Sequence, residues 1–153
     1  MERREKEALI SEIKNILERP VSREEKLRDI AELLRNRVEH YDWVGFYLVE
    51  EDETLVLGPY SGEPTEHVRI RFGKGICGQA AALRRPFLVE DVSKENNYLS
   101  CSPLVKSELV VPIFKKSELV GELDIDSHRL AAFDESDLKF LQQVCKIVSD
   151  ALF

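Results

Sequence analysis

The chain predicts an α+β fold: an antiparallel sheet of five or six strands, with long N- and C-terminal helices packed on one face and a pocket under loops on the other. Three observations predict it. Apolar residues recur at helical spacing near both ends. The middle is rich in β-branched and aromatic residues in short runs broken by Gly and Pro. One stretch, Asp91 to Pro103, follows neither period.

Taken in order, residues 3–18 place Leu9, Ile13, Ile16 and Leu17 on one helical face, and Pro20 stops that helix. Ser22 with Glu25 has capping-box spacing, and Leu27, Ile30, Ala31, Leu34, Val38 and Tyr41 form the buried stripe of a second helix. Asp42 to Glu50 reads as a strand. Glu51 to Glu53 turns it, and Thr54 to Leu57 returns as its partner, ending at Gly58-Pro59. A third strand is expected at His67 to Phe72, a short helix at Gln79 to Leu83, and a strand at Phe87 to Glu90. Asp91 to Pro103 is a loop long enough to suggest function. Strands at Glu108 to Phe114 and Leu119 to Asp126 flank the turn at Lys115 to Ser117. Asp134 starts a last helix with Leu138, Leu141, Val144, Cys145, Val148 and Leu152 as its stripe. Residues 1–153 read as a single domain, and the N-terminal helix over 1–20 offers an apolar face suited to a homodimer.

Composition narrows the function. A net charge of −7 argues against nucleic-acid or anionic-membrane partners. No apolar run approaches the ~20 residues that cross a bilayer, and the first residues lack a signal-peptide core, which points to the cytoplasm. Three cysteines without framework spacing suit a reducing compartment. His40, His67 and His128 have no ligand spacing with one another or with the cysteines, so no metal is assigned.

Three groups of residues could carry chemistry. Trp43, Gly45 and Tyr47 alternate along one strand and share a face, so a glycine between two rings leaves an aromatic-walled hollow; packing in a core is the plainer explanation. Asp124 and Asp126 share a face of another strand, and Glu108 opens its neighbour. Exposed edge acids would be the plain explanation, but the apolar flanks argue for burial, which is expensive without a ligand and raises carboxyl pKa values. Cys77 lies before the short helix, where backbone N–H groups favour a thiolate, and Cys101 follows the long loop. Cys145, in an apolar helical run, is read as core filler.

Over roughly residues 22 to 150 the chain resembles a GAF domain, and within that superfamily the free methionine-(R)-sulfoxide reductases. Arg69 to Gly75, Glu90-Asp91-Val, Lys106 to Ile113 and Gly121 to Asp126 are general GAF features. Trp43-Val-Gly-Phe-Tyr47, Leu57-Gly-Pro-Tyr-Ser-Gly62, Gly75-Ile-Cys-Gly78, Cys101 followed by Ser107-Glu108, and Asp124-Ile-Asp-Ser127 are more specific. The resemblance implies Cys101 as nucleophile, Cys77 as its neighbouring cysteine, and Trp43 and Tyr47 as substrate-enclosing aromatics. It implies Glu108, Asp124 and Asp126 as the acids that hold the substrate amine and sulfoxide oxygen. It further implies no bound cofactor, with thioredoxin or another dithiol as external reductant. The chain departs from the family where many members carry a third, resolving cysteine: that position is His67. Tyr98-Leu-Ser-Cys-Ser stands where His-Ile-Ala-Cys-Asp is common. Resolution by Cys77 or by an external thiol is therefore expected. Two other readings are a non-catalytic GAF module that binds a small ligand or signals, and a structural dimerisation domain. Retention of both Cys77 and Cys101 favours the enzyme.

Overall fold

A computed structural model describes residues 1–99 and 102–153; Ser100 and Cys101 lie outside the described residues, and with them the expectation placed on Cys101. Two helices come first, α1 over Arg3–Leu17 and α2 over Arg23–Arg37. Ser22 caps α2 by accepting a hydrogen bond from the Glu25 amide. Strands β1 (Trp43–Glu50), β2 (Thr54–Ser61) and β3 (Arg69–Arg71) follow. Helix α3 spans Gly75–Leu83, and β4 (Phe87–Val89) precedes a 3-10 turn at Val92–Lys94. Strands β5 (Ser107–Lys115) and β6 (Glu118–Ser127) lead into α4, Glu135–Leu152.

The strands form one antiparallel sheet in the order β3-β2-β1-β6-β5-β4. Alternation gives it two different faces. Val44 and Phe46 of β1, Leu123 and Ile125 of β6, and Leu109, Val111 and Ile113 of β5 pack against α1, α2 and α4. Ile13, Leu27, Ile30 and Leu34 are fully buried there, each stabilising by about 1.5–3 kcal/mol relative to exposure. The opposite face carries Trp43, Tyr47 and Val110 under Ile76, Cys77, Ala80 and Ala81 of α3. The predicted fold class and the division of helices between faces hold. Among the described residues no helix is long and apolar enough to cross a membrane.

Two local expectations change. Strand β2 does not end at Gly58-Pro59. Gly45 faces Tyr60 while Tyr47 faces Leu57, so β2 accommodates one extra residue as a bulge, where the missing proline N–H is tolerated. Helix α3 begins at Gly75 rather than Gln79. Gly73 and Gly75 adopt positive φ, and Gly78 lies inside the helix because a Cβ there would meet the Arg71 carbonyl oxygen at 2.6 Å. Leu9, Ile13 and Ile16 of α1 are buried inside this chain's own core.

Candidate active site

The strand register sets the site. Trp43, Gly45 and Tyr47 of β1 pair with Asp126, Asp124 and Glu122 of β6, and Asp126 pairs in turn with Glu108 of β5. The expected aromatics and acids are thus neighbours on one sheet face. The acids are not exposed edge residues: Glu108, Glu122, Asp124 and Asp126 are at most 5% accessible. Glu122 is the acid that sequence reasoning missed. The signal was the same period of two, since Glu122 precedes Asp124 as Asp124 precedes Asp126.

Helix α3 lays Cys77 over this row. Its thiol is 3.9 Å from Glu108 Oε2, a contact in which sulfur donates. The Cys77 sulfur and oxygens of Glu108 and Asp124 all lie within 4.8 Å of one another. Burial, reinforced by Asp124, Glu108, Glu122 and Asp126, pushes the Cys77 thiol well above its usual pKa. This reverses the expectation of a helix-favoured thiolate: Cys77 lies inside the first turn of α3, and desolvation among carboxyls outweighs the helix dipole. Sequence spacing points to no metal, yet among the described residues Cys77, Glu108 and Asp124 stand close enough together that they could hold a metal ion.

The acids move the same way. Burial, with Asp124 nearby, raises Glu122 and Asp126 well above ordinary carboxyl values. Burial also raises Asp124, while hydrogen bonding with Glu108 and Cys77 offsets part of the rise. Both oxygens of Glu122 and one each of Asp124 and Asp126 have no hydrogen-bond partner among the described residues. Neutral carboxyl groups can share protons in such a place, whereas adjacent carboxylates without donors are unfavourable.

The aromatics differ from expectation. Trp43 does not leave a hollow above Gly45: its ring folds across the glycine, where a Cβ would meet Cη2 at 2.3 Å. It stacks on Tyr60 with ring centroids 5.5 Å apart, and its Nε1 donates to the Glu63 carbonyl at 2.9 Å. Tyr47 lines the cavity, and its hydroxyl donates to the His67 carbonyl at 2.9 Å.

Tyr47, His67, Cys77, Leu99, Glu108 and Asp124 enclose a cavity of only about 10 Å3, room for roughly one water. A hollow of about 470 Å3 beside Pro86, Phe114 and Lys115 is roomier, but it lacks the buried acids. Asn97 fastens the long loop over the site. Its Oδ1 accepts from the Gly75 amide at 2.9 Å, its Nδ2 donates to the Gly73 carbonyl at 2.6 Å, and its carbonyl accepts from Gln79 Nε2 at 3.2 Å. Leu99 packs directly on Gly75. Cys145 lies on the helical face of the sheet, buried and remote from this cavity, as its apolar surroundings in sequence indicate.

The sequence model of the GAF domain matches residues 21–152. The free methionine-R-sulfoxide reductase of Escherichia coli is 39% identical over 118 residues, 77% of this chain and 70% of that protein. The chain belongs to the GAF-domain free methionine-R-sulfoxide reductase family. Solved members have the same fold. The Neisseria meningitidis reductase in complex with its substrate has a TM-score of 0.90 at 35% identity, over 95% of this chain and 87% of that one. The reduced Staphylococcus aureus reductase has a TM-score of 0.89 at 36% identity, over 97% and 95%. In this GAF domain α3 and Asn97 cover the sheet face that carries the buried acids.

Proposed function

We propose that this chain reduces free methionine (R)-sulfoxide to methionine with thiols as the electron source. The observation that carries the reading is the row of buried carboxyls beside the Cys77 thiol, in a member of this reductase family. Cys101 is the nucleophile. Its assignment is supported by Leu99, two positions earlier, which lines the same cavity as Cys77, Glu108 and Asp124.

The Cys101 thiolate attacks the sulfoxide sulfur. A protonated carboxyl among Glu108, Asp124 and Asp126 supplies the proton that the oxygen needs to leave, because a bare oxide is a very poor leaving group. The S–O bond breaks and the oxygen ends on Cys101: sulfoxide plus thiol gives methionine plus sulfenic acid. The same buried acids fit an α-ammonium, whose charge favours their ionised forms. A peptide nitrogen carries no such charge, so the free amino acid is the substrate. Tyr47, which lines the cavity, flanks the methyl end. The present cavity is too small for the amino acid, so substrate entry requires the Asn97 loop to lift.

Cys77 then condenses with the sulfenic acid, forming the Cys101–Cys77 disulfide and releasing water. A dithiol such as thioredoxin reduces that disulfide. His67 stands where many members have a resolving cysteine, which leaves the second thiol to Cys77 or to the external reductant. Cys101→Ser tests the assignment: methionine formation with dithiothreitol should fall at least 1,000-fold, as for loss of a covalent nucleophile. Wild-type-like turnover in that variant would remove the nucleophile.

A further inference from the structure

Helix α3 and strands β5 and β6 each bring one metal-ligating side chain to a single point on the acid face. Cys77 comes from the first turn of α3, Glu108 from the start of β5 and Asp124 from β6, and all three are at most 5% accessible. Glu108 pairs with Asp126 and Val110 with Asp124, so Glu108 and Asp124 stand diagonally across the β5–β6 ladder. The Cys77 sulfur is 3.9 Å from Glu108 Oε2, and one ligand atom from each of the three residues lies within 4.8 Å of the other two. Zinc bonds of about 2.0–2.3 Å put tetrahedral ligand atoms roughly 3.4–3.6 Å apart, so side-chain movement of about 1 Å closes this triangle. A second observation points to a ligand here. One Asp124 oxygen is buried with no hydrogen-bond partner among the described residues, and Asp124 lines the same cavity as Cys77 and Glu108.

We propose that Cys77, Glu108 and Asp124 bind a thiophilic divalent cation, with Zn²⁺ the best fit. The donor set decides the class. Mg²⁺ and Ca²⁺ take oxygen ligands, whereas a thiolate beside two carboxylates suits Zn²⁺. Ionised together, the three side chains would carry three buried negative charges, and the ion cancels two of them. On binding, Cys77 and any protonated carboxyl release their protons to solvent. Three protein ligands leave a fourth position, and the adjoining cavity of about 10 Å3 has room for one water there. Entry requires Asn97 to release the Gly73–Gly75 turn. A bound ion also occupies acids that take the substrate ammonium and ties up Cys77, so it inhibits reduction. That consequence rests on the reductase reading, but metal binding does not.

The test adds Co²⁺ or Zn²⁺, without substrate, to Cys101→Ser, Cys145→Ser protein, where Cys77 is the one thiol left. Co²⁺ should bind with a thiolate-to-cobalt charge-transfer absorption that Zn²⁺ abolishes by displacement. Saturating Zn²⁺ should slow iodoacetamide alkylation of Cys77 at least tenfold, and EDTA should restore it. Adding Cys77→Ser should remove the absorption. Asp124→Asn should weaken Zn²⁺ binding in equilibrium dialysis by roughly tenfold or more. His128→Ala, which removes a half-exposed imidazole remote from the cavity, should change neither readout. Absence of the charge-transfer absorption, or alkylation indifferent to saturating Zn²⁺, overturns the proposal in the parent protein, however the variants fold. Zn²⁺ affinity that survives both Cys77→Ser and Asp124→Asn overturns it too, as does affinity lost with His128→Ala, which places the ion on the surface. Methionine sulfoxide reduction by metal-free wild-type protein, assayed separately, reports on the reductase reading alone.

Discussion

Asp137 and Glu122 are both buried carboxyls, and their surroundings drive them in opposite directions. Burial alone would raise Asp137, but it accepts hydrogen bonds from His40 at 3.2 Å, the Tyr41 hydroxyl at 2.7 Å and the Asp134 amide, which together hold it at about 2. A depressed carboxyl stabilises the fold above its ordinary value of 3.8, and that stability is lost as pH falls from there through about 2. The amount is about 2 kcal/mol. Glu122, Asp124 and Asp126 are raised instead, so the folded chain keeps protons that the unfolded chain has released. Their contribution is fully present at acid pH and is lost as pH rises through the carboxyl range and beyond. The thermal midpoint of the substrate-free, reduced protein should therefore peak in mildly acid solution, and Glu122→Leu should lessen the decline on the alkaline side. A midpoint that rises steadily from pH 5 to 8, with no difference in the Leu variant, would show that these acids are ionised in the fold.

At the scale of elements, α3 together with Asn97 and Leu99 covers the buried acids. Asn97 is the main fastening, through two side-chain bonds to the Gly73–Gly75 turn. Asn97→Ala removes both, which at about 1 kcal/mol each predicts roughly tenfold or greater acceleration of hydrogen exchange at the Gly75 amide. An unchanged exchange rate would mean that Leu99 packing alone holds the cover. Elements are also where the sequence was most readable. Helical stripes such as Leu27, Ile30, Ala31 and Leu34, and runs such as Val44 to Leu48, show their period directly. Glycine misled where its reason was tertiary. Gly78 reads as an interruption, but it allows α3 to approach the Arg71 carbonyl, and Gly58-Pro59 reads as a stop, but it is absorbed as a bulge. Neither partner is a sequence neighbour of the glycine.

Across the whole molecule, one antiparallel sheet separates two kinds of chemistry. The face toward α1, α2 and α4 is apolar and supplies stability, while the face under α3 spends part of that stability on four buried acids and a thiol. Period-two spacing made Glu108, Asp124 and Asp126 legible as one group, because alternation survives folding unchanged. The environment of Cys77 was not legible, since it depends on where α3 lands across the sheet. Nor was the position of Trp43, whose ring settles over Gly45 and beside Gly62 once the strands pair. The central claim concerns what this acid row recognises: a free ammonium next to one sulfoxide configuration. Its most direct test incubates the protein and dithiothreitol separately with free methionine (R)-sulfoxide, the (S) epimer and N-acetylmethionine (R)-sulfoxide, then quantifies the reduced products. The account predicts product from the free (R) epimer and at least 100-fold less from the other two. Equal reduction of the N-acetyl compound, or no methionine from the free (R) epimer, would contradict it.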